Sequence, residues 1–202
     1  MIQSVYQNEQ ELLKAIIYIH LKGRNIQCDP MYFKGNFYKD GIEKPDFRFD
    51  INPLDKETIF ADAVNLEWHI RRNSLDNIIL DPPFLFEIRN RKNSNYGANT
   101  HGILGGFKEL KELYKGILKE AHRILKPKGI LIFKCQDYTD SKTTMTHCLV
   151  YNWAIEQGFY AKDLAILWLP KNKIYNSKLK QRHLRKTHSY FWIFIKSLIN
   201  SW

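Results

Sequence analysis

Asp81, Pro82, Pro83 and Phe84 are four consecutive residues whose types could do chemistry together. They follow Asn77-Ile78-Ile79-Leu80, a short apolar run of the kind that forms a buried strand of a parallel sheet. Neither proline can donate to a ladder, and Pro83 biases Pro82 towards extended geometry, so the strand stops abruptly in a stiff loop. That loop holds a carboxylate, carbonyls and an aromatic ring at the carboxyl edge of a sheet, where open α/β sheets bind ligands. An exocyclic amine on a nucleobase is a poor nucleophile, because its lone pair is delocalised into the ring. The Asp81 carboxylate and the Pro82 carbonyl could accept its two N–H bonds and draw the nitrogen towards sp3 character, while Phe84 stacks on the base. Four residues alone also fit an ordinary strand-ending turn with a capping aspartate, so the flanking chain has to decide.

The elements that would position this corner follow from hydrophobic spacing. Glu9 to Leu21 carries Leu12, Leu13, Ile16, Ile17 and Ile19, the pattern of an amphipathic helix that Gly23 stops. Three short strands end in an acid ahead of the corner: Asn25 to Asp29-Pro30, Phe47 to Asp50, and Thr58 to Asp62-Ala63. Asp50 suits a contact with ribose hydroxyls, as at this point of dinucleotide-binding folds, or a helix cap. Asp62, taken by itself, reads as a helix cap. Beyond Phe84 lies a polar stretch through Gly106 that bears Arg89, Arg91 and Lys92 and is too long for a simple connector. Phe107 to Leu125 is a helix, Lys126-Pro127-Lys128-Gly129 turns the chain, and Ile130 to Cys135 is a further strand. Thr143 to Gln157 is helical up to Gly158. Phe159 to Trp168 and Tyr190 to Ile195 then form a hairpin, with His188 to Tyr190 either lining a base pocket or packed in the core.

The Asp-Pro-Pro-Phe loop resembles the catalytic loop of the amino-group DNA methyltransferases, in the form typical of adenine-N6 enzymes. Asp29-Pro30 followed by Gly35 and Phe37 is similar to the motif Asp-Pro-x-x-Gly-x-Gly-x-aromatic that approaches S-adenosylmethionine, with Phe33 standing where the first glycine belongs. The run Arg123 to Leu131 is similar to a helix-turn-strand widespread in S-adenosylmethionine-dependent methyltransferases. The resemblance covers roughly residues 25 to 196 and is strongest at Asp81 to Phe84. It implies an α/β, Rossmann-like fold whose seven-stranded, mostly parallel sheet has one antiparallel strand. It also implies a cofactor-binding order along the chain: Asp29, Pro30, Gly35 and Phe37 at the cofactor's methionine end, Asp50 at the ribose, Asp62 and Ala63 at the adenine. Asp81, Pro82, Pro83 and Phe84 then form the catalytic corner. The pattern is similar to that of small DNA methylases of phages and prophages.

Length and charge agree with such a reading. At 202 residues, with 44% hydrophobic and 14% aromatic content, the chain is long enough for one domain with a sizeable core. Within residues 1–202 we distinguish an N-terminal helical segment (1–24), a substrate loop (85–106) and a basic hairpin tip (170–189). The formal charge of +10 suits a polyanionic partner, DNA or alternatively RNA. Lys173, Lys178, Lys180, Arg182, Arg185 and Lys186 form a run suited to phosphate contact through counterion release, or else a solvated face. Lys134 at a strand end is a further candidate contact. No metal spacing involves Cys28, Cys135, Cys148 or the histidines, so no metal is expected. The start Met1-Ile2-Gln3-Ser4 has no signal-peptide pattern and no run is long enough to span a bilayer, so a cytoplasmic protein is expected. No separate recognition domain is legible, which leaves sequence reading to the loop and hairpin or to a partner protein. Cytosine-N4 or RNA base-amine transfer, and a nucleic-acid-binding module without catalysis, are the alternatives.

Overall fold

Strands that are apolar on both faces occupy the centre of the computed structural model, which describes residues 2–86, 103–139, 142–170, 183–184 and 186–197. The elements run β1 (Val5–Tyr6), α1 (Glu9–His20), β2 (Cys28–Asp29), β3 (Phe47–Asp50), β4 (Ile59–Phe60), β5 (Leu75–Leu80), β6 (Leu85–Phe86) and β7 (Ile103–Leu104). They continue as α2 (Phe107–Ile124), β8 (Leu125–Cys135), β9 (Tyr138–Thr139), β10 (Thr143–Thr144), α3 (Thr146–Glu156), β11 (Phe159–Trp168) and β12 (His188–Lys196). The main sheet has five strands in the order β1-β11-β12-β8-β5. β5 runs parallel to β8, and β12 runs antiparallel to both β8 and β11. The hairpin expected near the carboxyl terminus is therefore the β11–β12 pair.

β2, β3 and β4 form a second, parallel sheet of three strands. A single seven-stranded ladder was the expectation; the observed ladders are five and three strands long, because no backbone ladder joins β2 to β5. Side-chain amides bridge them instead. The Gln27 N–H donates to Asn77 Oδ1 at 2.8 Å, and the Asp76 N–H donates to Gln27 Oε1 at 2.6 Å. Asn77 Nδ2 donates to the Asn25 carbonyl at 3.1 Å. Asn77, buried within β5, is thereby satisfied rather than costly.

Alternation along the strands divides the core. Ile79, Ile132, Phe191 and Ile193 pack with Leu12, Leu13 and Ile16 of α1 and with Tyr32, Phe37 and Tyr38. Ile78, Leu80, Leu131, Phe133 and Phe194 pack on the other side with Leu110, Tyr114, Ile117 and Leu118 of α2 and Val150 and Trp153 of α3. α1 starts at Asn8, whose side chain accepts from the Glu11 N–H, with Glu9 and Glu11 in its first turn. It stops at Lys22 and Gly23, both in the left-handed region. Thr143 and Thr144, expected to begin a helix, pair instead as β10 with β9; α3 starts at Thr146. No described helix is long and apolar enough to cross a membrane.

Candidate active site

β5 is buried along nearly its whole length and ends at Leu80, so Asp81 emerges at the carboxyl edge of the main sheet between β8 and the end of β2. The double proline then directs the chain outward. Pro82 is buried, and Pro83 and Phe84 are half-buried. The buried Tyr114 hydroxyl of α2 donates to the Pro83 carbonyl at 3.2 Å, which fixes the corner from beneath. Beyond the corner, β6 pairs parallel with β7, so the chain entering and leaving the 87–102 segment is held side by side.

The Asp81 carboxylate has one engaged oxygen. Its Oδ2 accepts from Lys134 Nζ of β8 at 3.0 Å, and among the described residues Oδ1 has no partner. Lys134 also reaches Glu9 Oε1 of α1 at 2.9 Å. Its ammonium lies over the Phe37 ring at 4.9 Å and the Phe191 ring at 5.8 Å. Burial opposes the charged ammonium, but Asp81 and Glu9 more than offset this and raise its pKa above that of an ordinary lysine. Lys134 was expected among the nucleic-acid contacts; its side chain is turned inward instead, only 15% exposed.

Asp29 lies one strand away and is almost wholly buried. It accepts from the Met31 N–H at 3.0 Å and from the Tyr38 hydroxyl at 2.8 Å. Burial pushes its carboxyl up to about 7, against those two hydrogen bonds, and the charges of Asp81 and Asp50 add to the rise. The three acids therefore share one edge. Asp50, also buried, accepts from the Phe33 N–H and the Asn52 N–H, each at 2.8 Å. Phe33 adopts φ +47°, a left-handed conformation that bulky residues rarely take. It stands where the resemblance calls for glycine, so the backbone here keeps a shape suited to glycine despite the aromatic residue. Gly35, at φ +62°, is glycine of necessity, since an added Cβ would overlap the Tyr32 ring hydroxyl. Asp62 is exposed, and its Oδ1 accepts from the Val64 N–H at 3.1 Å in a local turn. Ala63 beside it is buried, and Pro30 is buried in the turn after Asp29.

A family model described as DNA methylase (N6_N4_Mtase) matches residues 75–200, from the start of β5 to the end of the described chain and beyond. The chain belongs to this DNA methylase family. Among solved structures it is similar to 1,6-didemethyltoxoflavin-N1-methyltransferase from Burkholderia thailandensis, crystallised with S-adenosylhomocysteine. That match has 12% identity, 95% of this chain, 79% of the other and a TM-score of 0.55. It is also similar to TrmN from Thermus thermophilus, at 15% identity, 92% of this chain, 48% of the other and a TM-score of 0.54. A second Thermus thermophilus protein, described as a DNA modification methylase, matches at 14% identity, 75% and 54% coverage and a TM-score of 0.49. The chain spans about half the length of these two Thermus proteins. At such identities the likeness is one of fold: a mixed α/β architecture with a mostly parallel central sheet. No curated protein sequence matches the chain.

A second polar group lies at the end of β8. Asp137, buried, accepts from the His147 backbone N–H at 3.2 Å and lies 2.7 Å from His147 Nδ1. The His147 ring stacks on Tyr190 with centroids 4.1 Å apart, and the Tyr190 hydroxyl lies 2.9 Å from His188 Nε2. Burial pushes the Tyr190 phenol up to about 12, with Asp137 adding to it. Burial also lowers the His188 imidazole; Asp137 opposes this and the Lys186 charge reinforces it. Tyr190 pairs with Cys135 in the β12–β8 register, so this group borders the same edge as Asp81. Lys186, expected to contact phosphate, is half-buried beside it. Arg89, Arg91, Lys92, Lys173, Lys178, Lys180, Arg182 and Arg185 lie outside the described residues.

Glu9, Tyr38, Tyr114 and His147 were not anticipated. Glu9 looked like an ordinary first-turn acid, and Tyr38 and Tyr114 like core residues. Only their hydroxyl and carboxylate partners distinguish them.

Proposed function

We propose that this chain transfers the methyl group of S-adenosylmethionine to an exocyclic amine of a nucleobase in DNA, adenine N6 in particular. The observation that carries the reading is the engagement of Asp81. A proline-locked carboxylate with one oxygen tied to Lys134 and the other unpartnered among the described residues shares its sheet edge with Asp29 and Asp50. The acids also suit the cofactor's charge. Asp29 is buried close to two further carboxylates, so a bound cation would be favoured there. Asp29, Pro30, Gly35 and Phe37 would hold the methionine end of S-adenosylmethionine, Asp50 the ribose, and Asp62 with Ala63 the adenine. When bound, that cofactor supplies an electrophilic methyl group on a sulfonium.

The protein's own residues supply the rest. Asp81 Oδ1 and the Pro82 carbonyl accept the two N–H bonds of the substrate amine, which localises its lone pair. Phe84 stacks on the extruded base; extrusion costs a few kcal/mol, and base–aromatic stacking returns ~1–3 kcal/mol. The proton leaving the amine passes to Asp81 or to water. The adenine assignment rests on the Asp-Pro-Pro-Phe form of the loop, and the +10 charge supports a nucleic-acid substrate. Arg89, Arg91, Lys92, Lys186 and the cations from Lys173 to Arg185 are the proposed phosphate contacts. Three free cysteines support a reducing, cytoplasmic setting, and a partner protein is a candidate for part of the sequence reading.

The test is labelled-methyl transfer onto duplex DNA, single-stranded DNA and RNA, followed by nucleoside analysis. We expect label in N6-methyladenine from DNA, and a loss of at least about a hundredfold to a thousandfold in folded Asp81→Ala. Label confined to RNA or to cytosine would overturn the substrate, and an active Asp81→Ala would overturn the site.

A further inference from the structure

The largely buried Lys134 is held by groups from separate parts of the chain. Its Nζ meets Asp81 Oδ2 from the corner after β5 at 3.0 Å and Glu9 Oε1 from α1 at 2.9 Å. Phe37 and Phe191 wall it in at 4.9 and 5.8 Å. Two charge-assisted hydrogen bonds and two ring faces leave this ammonium little freedom to reorient. Asp81 therefore cannot turn without breaking a charged bond to a largely buried lysine. Glu9 lies outside the stretch matched by the family model, yet it is the lysine's second anchor.

We propose that Lys134, clamped by Glu9 of α1, is a positioning residue for Asp81: it fixes the carboxylate so that Oδ1 is the oxygen left for the substrate amine. The inference rests on Asp81 being the amine acceptor. Among the described residues the groups that face Asp81 are Lys134 and the buried Cys135 on β8, Asp29 on β2, Tyr114 on α2, and Glu9 on α1 behind the lysine. Lys134 is the one cation in that set, and its bond to Oδ2 sets the orientation of Asp81 before substrate arrives.

A lysine that merely ties α1 to the sheet would predict different behaviour, and full-length variants separate the two. The measurements are kcat, S-adenosylmethionine affinity and thermal melting for wild type, Lys134→Gln, Lys134→Arg, Glu9→Gln and Asp81→Asn. Positioning predicts that Lys134→Gln loses about 10- to 100-fold in kcat with cofactor affinity within about threefold. Lys134→Arg should recover most of the rate. Glu9→Gln, which keeps the Lys134–Asp81 pair and loosens its anchor, should lose about 2- to 10-fold in kcat while the protein stays folded. A Lys134→Gln or Glu9→Gln kcat equal to wild type, or a Lys134→Arg no faster than Lys134→Gln, overturns the proposal. If Lys134→Gln does not fold, Glu9→Gln and Lys134→Arg decide it alone. An active Asp81→Asn would instead sink the catalytic reading beneath it, whatever the lysine variants do.

Discussion

Two largely buried lysines, Lys134 and Lys196, stand at opposite ends of the main sheet, and their surroundings differ in kind. Lys196 closes β12 at the amino edge of its antiparallel neighbours β8 and β11. Its ammonium donates to Asn73 Oδ1 at 2.7 Å, the His122 carbonyl at 2.6 Å and the Leu125 carbonyl at 2.8 Å. Those acceptors are neutral. Burial lowers its pKa, and the Arg72 charge lowers it further. Lys134, at the carboxyl edge, meets two carboxylates, and its pKa is raised. The first arrangement ties the carboxyl end of α2 to the start of β8 and serves the fold. The second ties down a carboxylate whose other oxygen has no partner among the described residues, an arrangement that an ion pair needed only for stability would not require. A lysine with all its hydrogens spent on neutral acceptors has nothing left to offer a ligand.

The comparison can be broken most directly at Lys196. Lys196→Met would leave three polar acceptors unsatisfied, two of them main-chain carbonyls near the end of α2. We expect a loss of about 3 kcal/mol, roughly 10 °C in Tm for a domain of this size, with methyl transfer per folded molecule unchanged. Thermal melts and activity at a temperature where the variant is folded would check this. An inactive but stable Lys196→Met would place function at the wrong edge.

Asp29 sharpens the contrast through pH. Its folded-state pKa of about 7 lies above the ordinary carboxylate range, so between about pH 4 and 7 the folded protein holds a proton that the unfolded chain has released. Stability contributed by that proton is present at the acid end and is lost as pH rises towards 7. Asp29→Asn removes the titration. The difference in Tm between Asp29→Asn and wild type should therefore grow in the variant's favour as pH rises from about 5 to about 7.5; a constant difference across that range would contradict the buried, uncompensated acid. His122, near Lys196, shows the reverse case. Burial, with Lys196 and Arg72, lowers it to about 4, so its contribution to stability is lost as pH falls through that range; being the same in variant and wild type, it cancels from the difference.

Tyr114 gives the smallest effect. Tyr114→Phe removes the hydrogen bond to the Pro83 carbonyl while keeping the ring packed against Phe133 and Trp153. We expect about 1 kcal/mol of destabilisation and a modest rise in KM for the nucleic acid, read from urea unfolding and initial rates. An unchanged KM would mean that the prolines alone hold the corner.

Much of the working edge is legible in the linear chain because its signals are local. An apolar run followed by Asp-Pro-Pro has few conformations open to it, and each acid at a strand end is set within a handful of residues of its strand. The helix from Glu9 is likewise written in its spacing and its acidic first turn, and the glycine requirement at Gly35 follows from its turn. The short strands β2, β3 and β4 are recognisable by those acids even though their ladders are only two to four residues long. Their separation from β5 is not recognisable. It depends on the Gln27 and Asn77 side chains meeting, and neither sequence neighbourhood reveals that.

Lys134 marks the boundary between the two kinds of knowledge. In sequence it is one cation among 31 lysines and arginines, at the end of a strand, where solvent or phosphate is the usual destination. Its direction is settled by the β5–β8 register, which sets Leu80 opposite Phe133, and by α1 packing on the same face of the sheet. Local sequence can specify that a carboxylate stands on a rigid corner, since proline sterics act between adjacent residues. Which charge faces that carboxylate depends on chain segments far apart in sequence, and only their packing brings Glu9, Asp81 and Lys134 within hydrogen-bonding distance.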